Sequence, residues 1–252
     1  IKSKFINTNF SDLNINCNIL TSDFYCDSFN YFPITEESNV FLELFSRDLT
    51  TNNDHFLGKN FYSSFLKKKE NFKNFSNIFL LGLNAGNNYY SNLIHFLPRL
   101  FFNNKKDIKV GIHRNSSLKL RNFIELILKT QSVKFSFVYL DDDFYAFKNS
   151  QIPQFLNLSN SVNILRKFLK PKINTKYDKK IYVTRESSFY RKIVNESDII
   201  PILRAEGYKI INPELYDIDE QINIFGNADK IVAPHGSNLA NIVFCKPETE
   251  VI

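Results

Sequence analysis

Two arginines in the last third of the chain have the residue type and the position needed to bind a phosphate group. Arg185 follows residues 181–184, which have the pattern of a strand, and Arg191 comes six residues later. An arginine at the carboxyl end of a strand can hold a pyrophosphate through bidentate, charge-assisted hydrogen bonds. Taken alone, each arginine is also typical of a surface ion pair.

A second group of anion-binding candidates follows the strand-like run of residues 230–233. His235 and Gly236 occupy a turn, and Ser237 or Asn238 is predicted to cap the helix that comes next. Ligands bind at this edge of an open α/β sheet, and the free N–H groups at a helix N-terminus favour an anion. The imidazole can hydrogen-bond a phosphate or a sugar hydroxyl. The alternative is a histidine that only caps its turn.

A third set of polar residues recurs every three or four positions, as on one side of a helix. The set contains Asn88, Asn92, His95 and Arg99. The stripe follows the predicted strand of residues 78–81 and therefore lies near the edge of a sheet. A solvent-exposed helix face is the simpler interpretation, and a ligand-binding face is the alternative.

Short apolar runs alternate with helical patterns from residue 77 onward, which predicts βαβ units with parallel sheets. The polar residues 172–179 indicate a linker. We therefore predict an α/β fold with two Rossmann-like domains, residues 1–171 and residues 172–252. The chain stops inside a strand-like pattern, so the second domain is expected to be truncated.

Local patterns in the first domain make specific predictions. Apolar spacing predicts a helix over residues 89–102 that is kinked or broken at Pro98. Aromatic residues mixed with lysines predict a surface helix over residues 61–75. Ser159 or Ser161 is expected to cap the last helix before the linker.

Polar residues also mark the helix ends of the second domain. Asn195 is expected to open a helix, with Asp198 as a weak analogue of a capping box, and Gly207 is expected to end it. Asp217 and Glu220 are expected to cap the next helix.

The overall composition limits the classes of molecule that the protein is expected to bind. The net charge of +6 suits an acidic ligand such as a nucleotide, and it is compatible with peripheral membrane contact. The basic residues are scattered, so nucleic-acid binding gains little support. Three cysteines without a Cys-x-x-Cys motif argue against a zinc site or a disulfide framework and indicate a reducing compartment such as the cytoplasm. No apolar run approaches membrane-spanning length.

Several of these stretches resemble one known family. Residues 180–185 and 191–196 look like its first motif, residues 234–244 and 247–252 look like its last, and residues 87–100 match more weakly. The family is the family 61 glycosyltransferases, which include capsular-polysaccharide enzymes, plant xylosyltransferases and O-GlcNAc transferases. The chain departs from the family pattern at Ser237, where alanine is usual, and at Ser91 and Asn92, where histidine and tryptophan are common.

The resemblance implies a GT-B architecture, in which the C-terminal domain binds a nucleotide sugar and the N-terminal domain binds the acceptor. It implies inverting, metal-independent transfer without a cofactor, from a donor such as a UDP-sugar to a hydroxyl of a glycan or protein, as in polysaccharide or capsule biosynthesis. The residues implied for the nucleotide sugar are Arg185, Arg191, His235, Gly236, Ser237 and Asn238. Those implied for the acceptor are Asn88 and Arg99, with His95 as the candidate general base.

Three alternatives stay open. A GT-A-type transferase would bind a metal–nucleotide complex through Asp141 and Asp143, although three consecutive aspartates after a strand are more typical of a solvated turn. A catalytically degenerate relative would bind a glycan or nucleotide without turnover, as the departures at Ser91 and Asn92 suggest. A dinucleotide oxidoreductase is the poorest of the three, because no Gly-x-Gly-x-x-Gly follows a strand.

Overall fold

The computed structural model describes residues 4–27, 33–36, 65–81, 88–186 and 192–252. The chain divides into two compact units, Ile1–Ser161 and Val162–Ile252. The division that the polar linker predicts lies later, after residue 171, and the domain assignment stays a prediction.

The first unit is built on a mixed sheet, which has seven strands among the described residues. Its strands in chain order are β1 (Lys4–Phe10), β2 (Ile15–Asp27), β3 (Lys73–Ser76), β4 (Ile78–Leu80), β5 (Asp107–His113), β6 (Lys134–Leu140) and β7 (Phe144–Pro153). Their order across the sheet is β1-β2-β7-β4-β5-β6, and β3 also pairs with β7. The pairs among β3 to β7 are parallel, as the alternation of strands and helices predicts.

The first two strands differ from the predicted parallel arrangement. β1 pairs antiparallel with β2, and β2 pairs antiparallel with β7. Only residues 11–14 connect β1 to β2, and Asn14 among them has a φ of 52°. So short a connection permits only an antiparallel pair, because a parallel pair needs a crossover of a dozen or more residues.

Residues 89–102 form a helix in three pieces, which confirms the predicted break. The α-helix α1 (Tyr89–Ser91) is followed by a π-helix (Asn92–Phe96) and a 3₁₀ helix (Leu97–Phe102). Pro98 lies at the start of the last piece, because it has no N–H to donate and its ring clashes with the preceding turn. Apolar side chains of all but the first piece are buried in the core of the unit.

Helix α2 (Leu118–Thr130) follows β5 and confirms the helix expected after that strand. The hydroxyl of Ser117 accepts a hydrogen bond from the N–H of Leu120 at 3.2 Å and so caps the helix. The apolar side of the helix is buried, as its spacing predicts.

Helix α3 (Leu158–Phe168) runs from the end of the first unit into the second. Its cap is Asn157, whose side chain accepts a hydrogen bond from the N–H of Asn160 at 2.8 Å. The predicted cap at Ser159 or Ser161 is therefore wrong. Asn157 caps the helix at least as well as a serine and precedes both, so the helix begins earlier.

The predicted surface helix over residues 61–75 agrees with the structure at Phe65 and Leu66, which are helical, and is wrong from residue 67 onward. Lys69–Asn71 form one 3₁₀ turn, and β3 then pairs with β7. Phe72, just before β3, is buried and lies against Phe65, with ring centroids 4.9 Å apart. Residues 61–64 lie outside the described part of the chain.

The second unit contains a parallel sheet of four strands, counted over residues 162–186 and 192–252. The strands are β8 (Lys180–Val183), β9 (Lys209–Ile211), β10 (Lys230–Val232) and β11 (Glu250–Val251). Their order is β11-β10-β8-β9, and every pair is parallel. The chain therefore moves from β8 to β9 on one side and returns to β10 on the other. Ligands of open α/β sheets bind at the carboxyl ends of the strands at such a reversal.

In the second unit, one α-helix ends and the next one begins where the sequence predicts. α4 (Glu196–Ala205) ends at Gly207, whose φ of 82° suits glycine. α5 (Ile218–Asn227) begins after Asp217, whose carboxylate accepts a hydrogen bond from the N–H of Glu220 at 2.8 Å. Asn195 occupies the predicted cap of α4, but its side chain makes no capping hydrogen bond.

The helix expected after β10 differs in type and in its cap. Ser237–Phe244 form a 3₁₀ helix, and Gly236 occupies the cap position without a side-chain hydrogen bond. The predicted cap at Ser237 or Asn238 is therefore wrong. Burial of Ala240 and Val243 holds this helix in place, so packing rather than a capping side chain decides where it starts.

The described residues contain no helix that is both long and apolar enough to cross a bilayer. Cys17, Cys26 and Cys245 are buried, and none of the three forms a disulfide. Burial raises the pKa of Cys17 and of Cys245 to about 12, so both thiols stay protonated at neutral pH.

We expect Gly226→Ala to destabilise the protein. A methyl group on Gly226, which lies in α5, would overlap the side chain of Pro171 and lie 3.2 Å from the carbonyl oxygen of Phe244. The free energy of unfolding should fall by roughly 2 kcal/mol, because overpacking outweighs the better helix propensity of alanine. Urea unfolding measures this change. The exposed Asp219→Ala in the same helix should cost less than about 1 kcal/mol, and an equal loss in both variants would contradict the packing argument.

Candidate functional site

Arg185 and Gly236 meet where the strand order of the second unit reverses. β8 pairs with β10 in parallel, with Tyr182 opposite Val232, so the residues that follow the two strands leave the same edge of the sheet. The guanidinium of Arg185 packs against the Cα of Gly236, and a methyl group built there would lie 2.8 Å from its Cζ and closer still to one terminal nitrogen. The structure therefore brings the predicted arginine and the predicted glycine turn together.

Space rather than backbone conformation explains the glycine at position 236. Its φ of 174° and ψ of 171° are extended values that any residue adopts. A side chain at this position would instead occupy the volume of the Arg185 guanidinium. Gly236 is therefore matched to the arginine across the strand reversal.

The edge formed by these residues is open to solvent. His235 is exposed, Gly236, Ser237 and Asn238 are half-buried, and Arg185 is 8% exposed. The arginine thus lies beneath the turn, and the imidazole and the start of the 3₁₀ helix lie at the surface. A guanidinium, an imidazole and backbone N–H groups are all suited to an anion.

Glu196 anchors the turn that carries Arg185. This carboxylate is the first residue of α4 and is buried. Its Oε1 accepts hydrogen bonds from the hydroxyl of Tyr182 at 2.7 Å, the hydroxyl of Thr184 at 2.9 Å and the N–H of Arg185 at 3.1 Å. Burial, and then the bond to Glu196, raise the pKa of Tyr182. The residue types indicate only that an acidic group suits the first turn of a helix; the three contacts are not predictable from them.

A buried pair of amides fixes the 3₁₀ helix to α5. The side-chain N–H of Asn241 donates to the side-chain oxygen of Gln221 at 3.1 Å, and Gln221 donates in turn to the carbonyl of Tyr216 at 2.9 Å. Both amides are almost fully buried. Sequence patterns do not predict this pair, since the two residues lie twenty positions apart.

The predicted acceptor residues of the first unit lie in different surroundings. Asn88 is exposed, and its side chain accepts a hydrogen bond from the N–H of Ser91 at 3.0 Å, so it caps α1. His95 is half-buried and lies edge-on to Tyr90, with ring centroids 5.5 Å apart. Asn92 is buried, which contradicts the interpretation of the stripe as a solvent-exposed face.

Arg99 is enclosed in the core of the first unit. Only 1% of it is exposed. It donates to the carbonyl of Pro153 from Nε at 2.9 Å and from a terminal nitrogen at 2.6 Å, and to the carbonyl of Leu81 at 2.6 Å. Its Cζ lies 4.0 Å from the ring centroid of Phe155. Burial lowers the pKa of Arg99 to about 9, which leaves it charged at pH 7. These contacts favour a structural role that joins the ends of β4 and β7.

The three aspartates after β6 each contact a different basic side chain. Asp141 binds the Nε of Arg114 at 2.5 Å, Asp142 binds the ring of His113 at 2.9 Å, and Asp143 binds Lys73 at 2.7 Å. Hydrogen bonds from Arg114 and Lys73 lower the pKa of Asp141 and Asp143, respectively. The described residues hold no group of three or more carboxylate, imidazole or thiol side chains placed to bind a metal. The ion pairs of Asp141 and Asp143 agree with the interpretation of the three aspartates as a solvated turn.

Two cavities lie away from the predicted site residues. One of about 280 Å³ lies beside Phe79 and Gln151, and one of about 150 Å³ lies beside Gly226 and Phe244. The predicted site is instead an exposed sheet edge. Arg191 lies outside the described residues, as do residues 82–87.

The family model of Glycosyltransferase 61 matches residues 55–252. The chain belongs to glycosyltransferase family 61. A comparison with curated proteins finds no significant match. Proteins of this glycosyltransferase family in general use a nucleotide-sugar donor and a glycan acceptor. The match spans the Arg185–Gly236 contact of this family 61 chain.

We expect Arg99→Gln to destabilise the family 61 chain by roughly 2–5 kcal/mol, because two buried carbonyls would lose their donors. Urea unfolding measures the loss. Arg114→Gln, an exposed arginine paired with Asp141 in the same unit, is the matched control and should cost less than about 1 kcal/mol. Wild-type stability of Arg99→Gln would contradict the structural role.

Gly236→Ala should displace the Arg185 guanidinium with little loss of stability. Alanine tolerates the extended backbone at this position, but its methyl group needs the volume of the guanidinium. The side-chain Nε–H signal of Arg185 in a ¹H–¹⁵N spectrum should shift, while the free energy of unfolding changes by less than about 1 kcal/mol. Ser237→Ala is the control and should leave the signal in place. An unmoved signal in Gly236→Ala would contradict the packing of the two residues.

Proposed function

We propose that the chain is an inverting, metal-independent glycosyltransferase whose second unit binds a nucleotide sugar, most simply a UDP-sugar. The observation that carries the proposal is the contact of the Arg185 guanidinium with Gly236 at the strand reversal. Family membership supports the reaction class. The residues proposed for the donor are Arg185, Arg191, His235, Gly236, Ser237 and Asn238.

The chemistry of the proposal follows from the charge of the leaving group. Transfer of the sugar leaves a nucleoside diphosphate, whose negative charge increases as the glycosidic bond breaks. Without a metal, this charge must be balanced by protein groups. Arg185 supplies a fixed guanidinium, His235 supplies an accessible imidazole, and the backbone after Gly236 supplies N–H donors.

The acceptor hydroxyl must lose its proton to a general base during an inverting displacement. We propose His95 for this role, because it is the partly accessible imidazole of the broken helix. Asn88 is proposed to contact the acceptor from its exposed position at the start of that helix. Arg99, the third residue that the resemblance implies for the acceptor, is proposed to position the helix from the core.

The acceptor is proposed to be a hydroxyl of a glycan or protein, as in polysaccharide or capsule assembly. Buried cysteines that form no disulfide are typical of a reducing compartment, so we place the reaction in the cytoplasm or at the inner face of a membrane. A second candidate is a degenerate relative that binds donor without turnover. It is favoured by Asn92, which stands where the family commonly has tryptophan and is buried.

Arg185→Ala should weaken binding of a nucleoside diphosphate much more than binding of the nucleoside. A panel of UDP, GDP, CDP, ADP and TDP, screened by thermal shift on the intact chain, identifies the preferred base. Calorimetry should then show about a tenfold or larger loss for the preferred diphosphate, since a charge-assisted hydrogen bond contributes about 1.5–3 kcal/mol. The nucleoside should lose less than about twofold.

Arg204→Ala, an exposed arginine at the end of α4, is the matched control and should bind both ligands like the wild type. Equal losses for diphosphate and nucleoside in Arg185→Ala would show that this arginine does not contact phosphate. A wild type that binds no member of the panel would contradict the proposed donor site. Hydrolysis and transfer of the matching nucleotide sugar by the wild type separate the transferase from the degenerate relative.

A further inference from the structure

Glu196 is a buried carboxylate that is not among the residues proposed to bind the donor. It is 5% exposed, and one of its oxygens accepts three hydrogen bonds. A buried charge is unfavourable unless hydrogen bonds and dipoles compensate for it. Here the donors of Tyr182, Thr184 and Arg185 provide that compensation, together with the N-terminus of α4.

The three donors come from consecutive parts of one short segment. Tyr182 lies within β8, Thr184 follows the strand, and Arg185 donates through its backbone N–H. The hydroxyl of Thr184 also accepts a hydrogen bond from the N–H of Glu186 at 3.1 Å. A single carboxylate oxygen of α4 thus holds the end of β8 and the backbone of the Arg185 turn.

We infer that Glu196 is a positioning residue for the donor site, which holds the backbone of Arg185 so that its guanidinium lies against Gly236 and faces a diphosphate. The inference rests on the proposed function for its ligand, a nucleoside diphosphate. Glu196 contacts the backbone of Arg185, so it acts through the arginine and does not itself touch the ligand.

Two effects of Glu196 on anion binding oppose each other. Its hydrogen bonds orient the arginine, which favours the anion, whereas its negative charge repels the anion. A variant that keeps the acceptor oxygen but removes the charge separates the two effects. Glu196→Gln is that variant, because the glutamine side-chain oxygen has the same reach. Glu196→Ala removes both the oxygen and the charge.

Calorimetry on the intact chain with UDP and uridine, or with the diphosphate and nucleoside that the panel selects, tests the inference. Glu196→Ala should weaken UDP binding by about tenfold and uridine binding by less than about twofold. Glu196→Gln should stay within about threefold of the wild type for both ligands. In the Arg185→Ala background, Glu196→Ala should cause no further loss, because the two residues act as one unit.

Asn227→Ala is the matched control for a loss of buried hydrogen bonds. Asn227 is fully buried in the same unit, and its side chain bonds to Lys172, Asn174 and Asn223, away from the site residues. This variant should lower stability but keep the wild-type ratio of UDP to uridine affinity. If Glu196→Ala does not fold, Glu196→Asp replaces it. The shorter side chain keeps the charge but moves the oxygen away from its three donors. This variant should then weaken UDP binding by about tenfold.

Four results would overturn the inference. They are unchanged UDP affinity in Glu196→Ala (or in the Glu196→Asp that replaces it), equal losses for UDP and uridine in that variant, UDP binding more than about threefold tighter in Glu196→Gln, and a Glu196→Gln variant as weak as Glu196→Ala. The second result would show a purely structural residue, and the third would show that charge repulsion dominates.

Hydrogen exchange of the Arg185 backbone amide distinguishes failure of this inference from failure of the proposed function. The amide should be protected in the wild type and lose at least about tenfold protection in Glu196→Ala but not in Asn227→Ala. This readout needs no ligand. A wild type that binds no nucleotide but shows this exchange pattern would refute the donor site and retain the positioning of Arg185. An unchanged amide in Glu196→Ala would refute the positioning itself.

Discussion

The parallel pairing of β8 with β10 is the constraint on which the candidate site depends. Because the two strands run side by side in the same direction, the turns that follow them leave the sheet at one edge. The strand order reverses at this pair, and ligands of open α/β sheets bind at such a reversal. One turn contributes Arg185 and the other contributes Gly236, and the absent side chain of the glycine provides the volume that the guanidinium fills.

Two buried arginines illustrate how the surroundings of the same residue type determine its role. Arg99 and Arg185 each lie near the carboxyl end of a parallel strand. The donors of Arg99 are bound to the carbonyls of Leu81 and Pro153, and its face is covered by Phe155. Arg185 instead lies beneath a turn that carries an exposed imidazole. The first arrangement stabilises a core, whereas the second places positive charge behind an open sheet edge.

Buried hydrogen bonds connect the site to the rest of the second unit. The carboxylate of Glu196 holds the Arg185 turn, and the amides of Gln221 and Asn241 hold the 3₁₀ helix that follows Gly236. Preorganised groups of this kind lose little energy in reorientation when charge develops on a bound ligand. A family 61 chain that works without a metal would need such preorganisation, because its cations are long and flexible side chains unless the fold orders them.

The order of strands and helices from residue 77 onward, the broken helix at Pro98, the end of α4 before Gly207 and the cap of α5 at Asp217 were predictable from the sequence. These features depend on interactions between residues that are close along the chain, such as caps, proline geometry and apolar spacing. The anion-binding residue types of the second unit and the family were also recognisable in this way. The sequence patterns predicted a surface helix that continues to residue 75 and a cap at Ser237 or Asn238. Pairing of β3 with β7 overrode the first over residues 73–75, and packing overrode the second.

The tertiary structure alone decided which of the candidate residues are enclosed in a core and which lie at an open sheet edge. The enclosure of Arg99, the anchoring of Arg185 by Glu196 and the amide pair that fixes the 3₁₀ helix join residues between 11 and 54 positions apart. Hydrogen bonds over such separations form only after the sheets and helices have packed. Residue type and local spacing therefore determined the fold class and the chemistry available to the protein, whereas burial and long-range contacts determined where that chemistry can act.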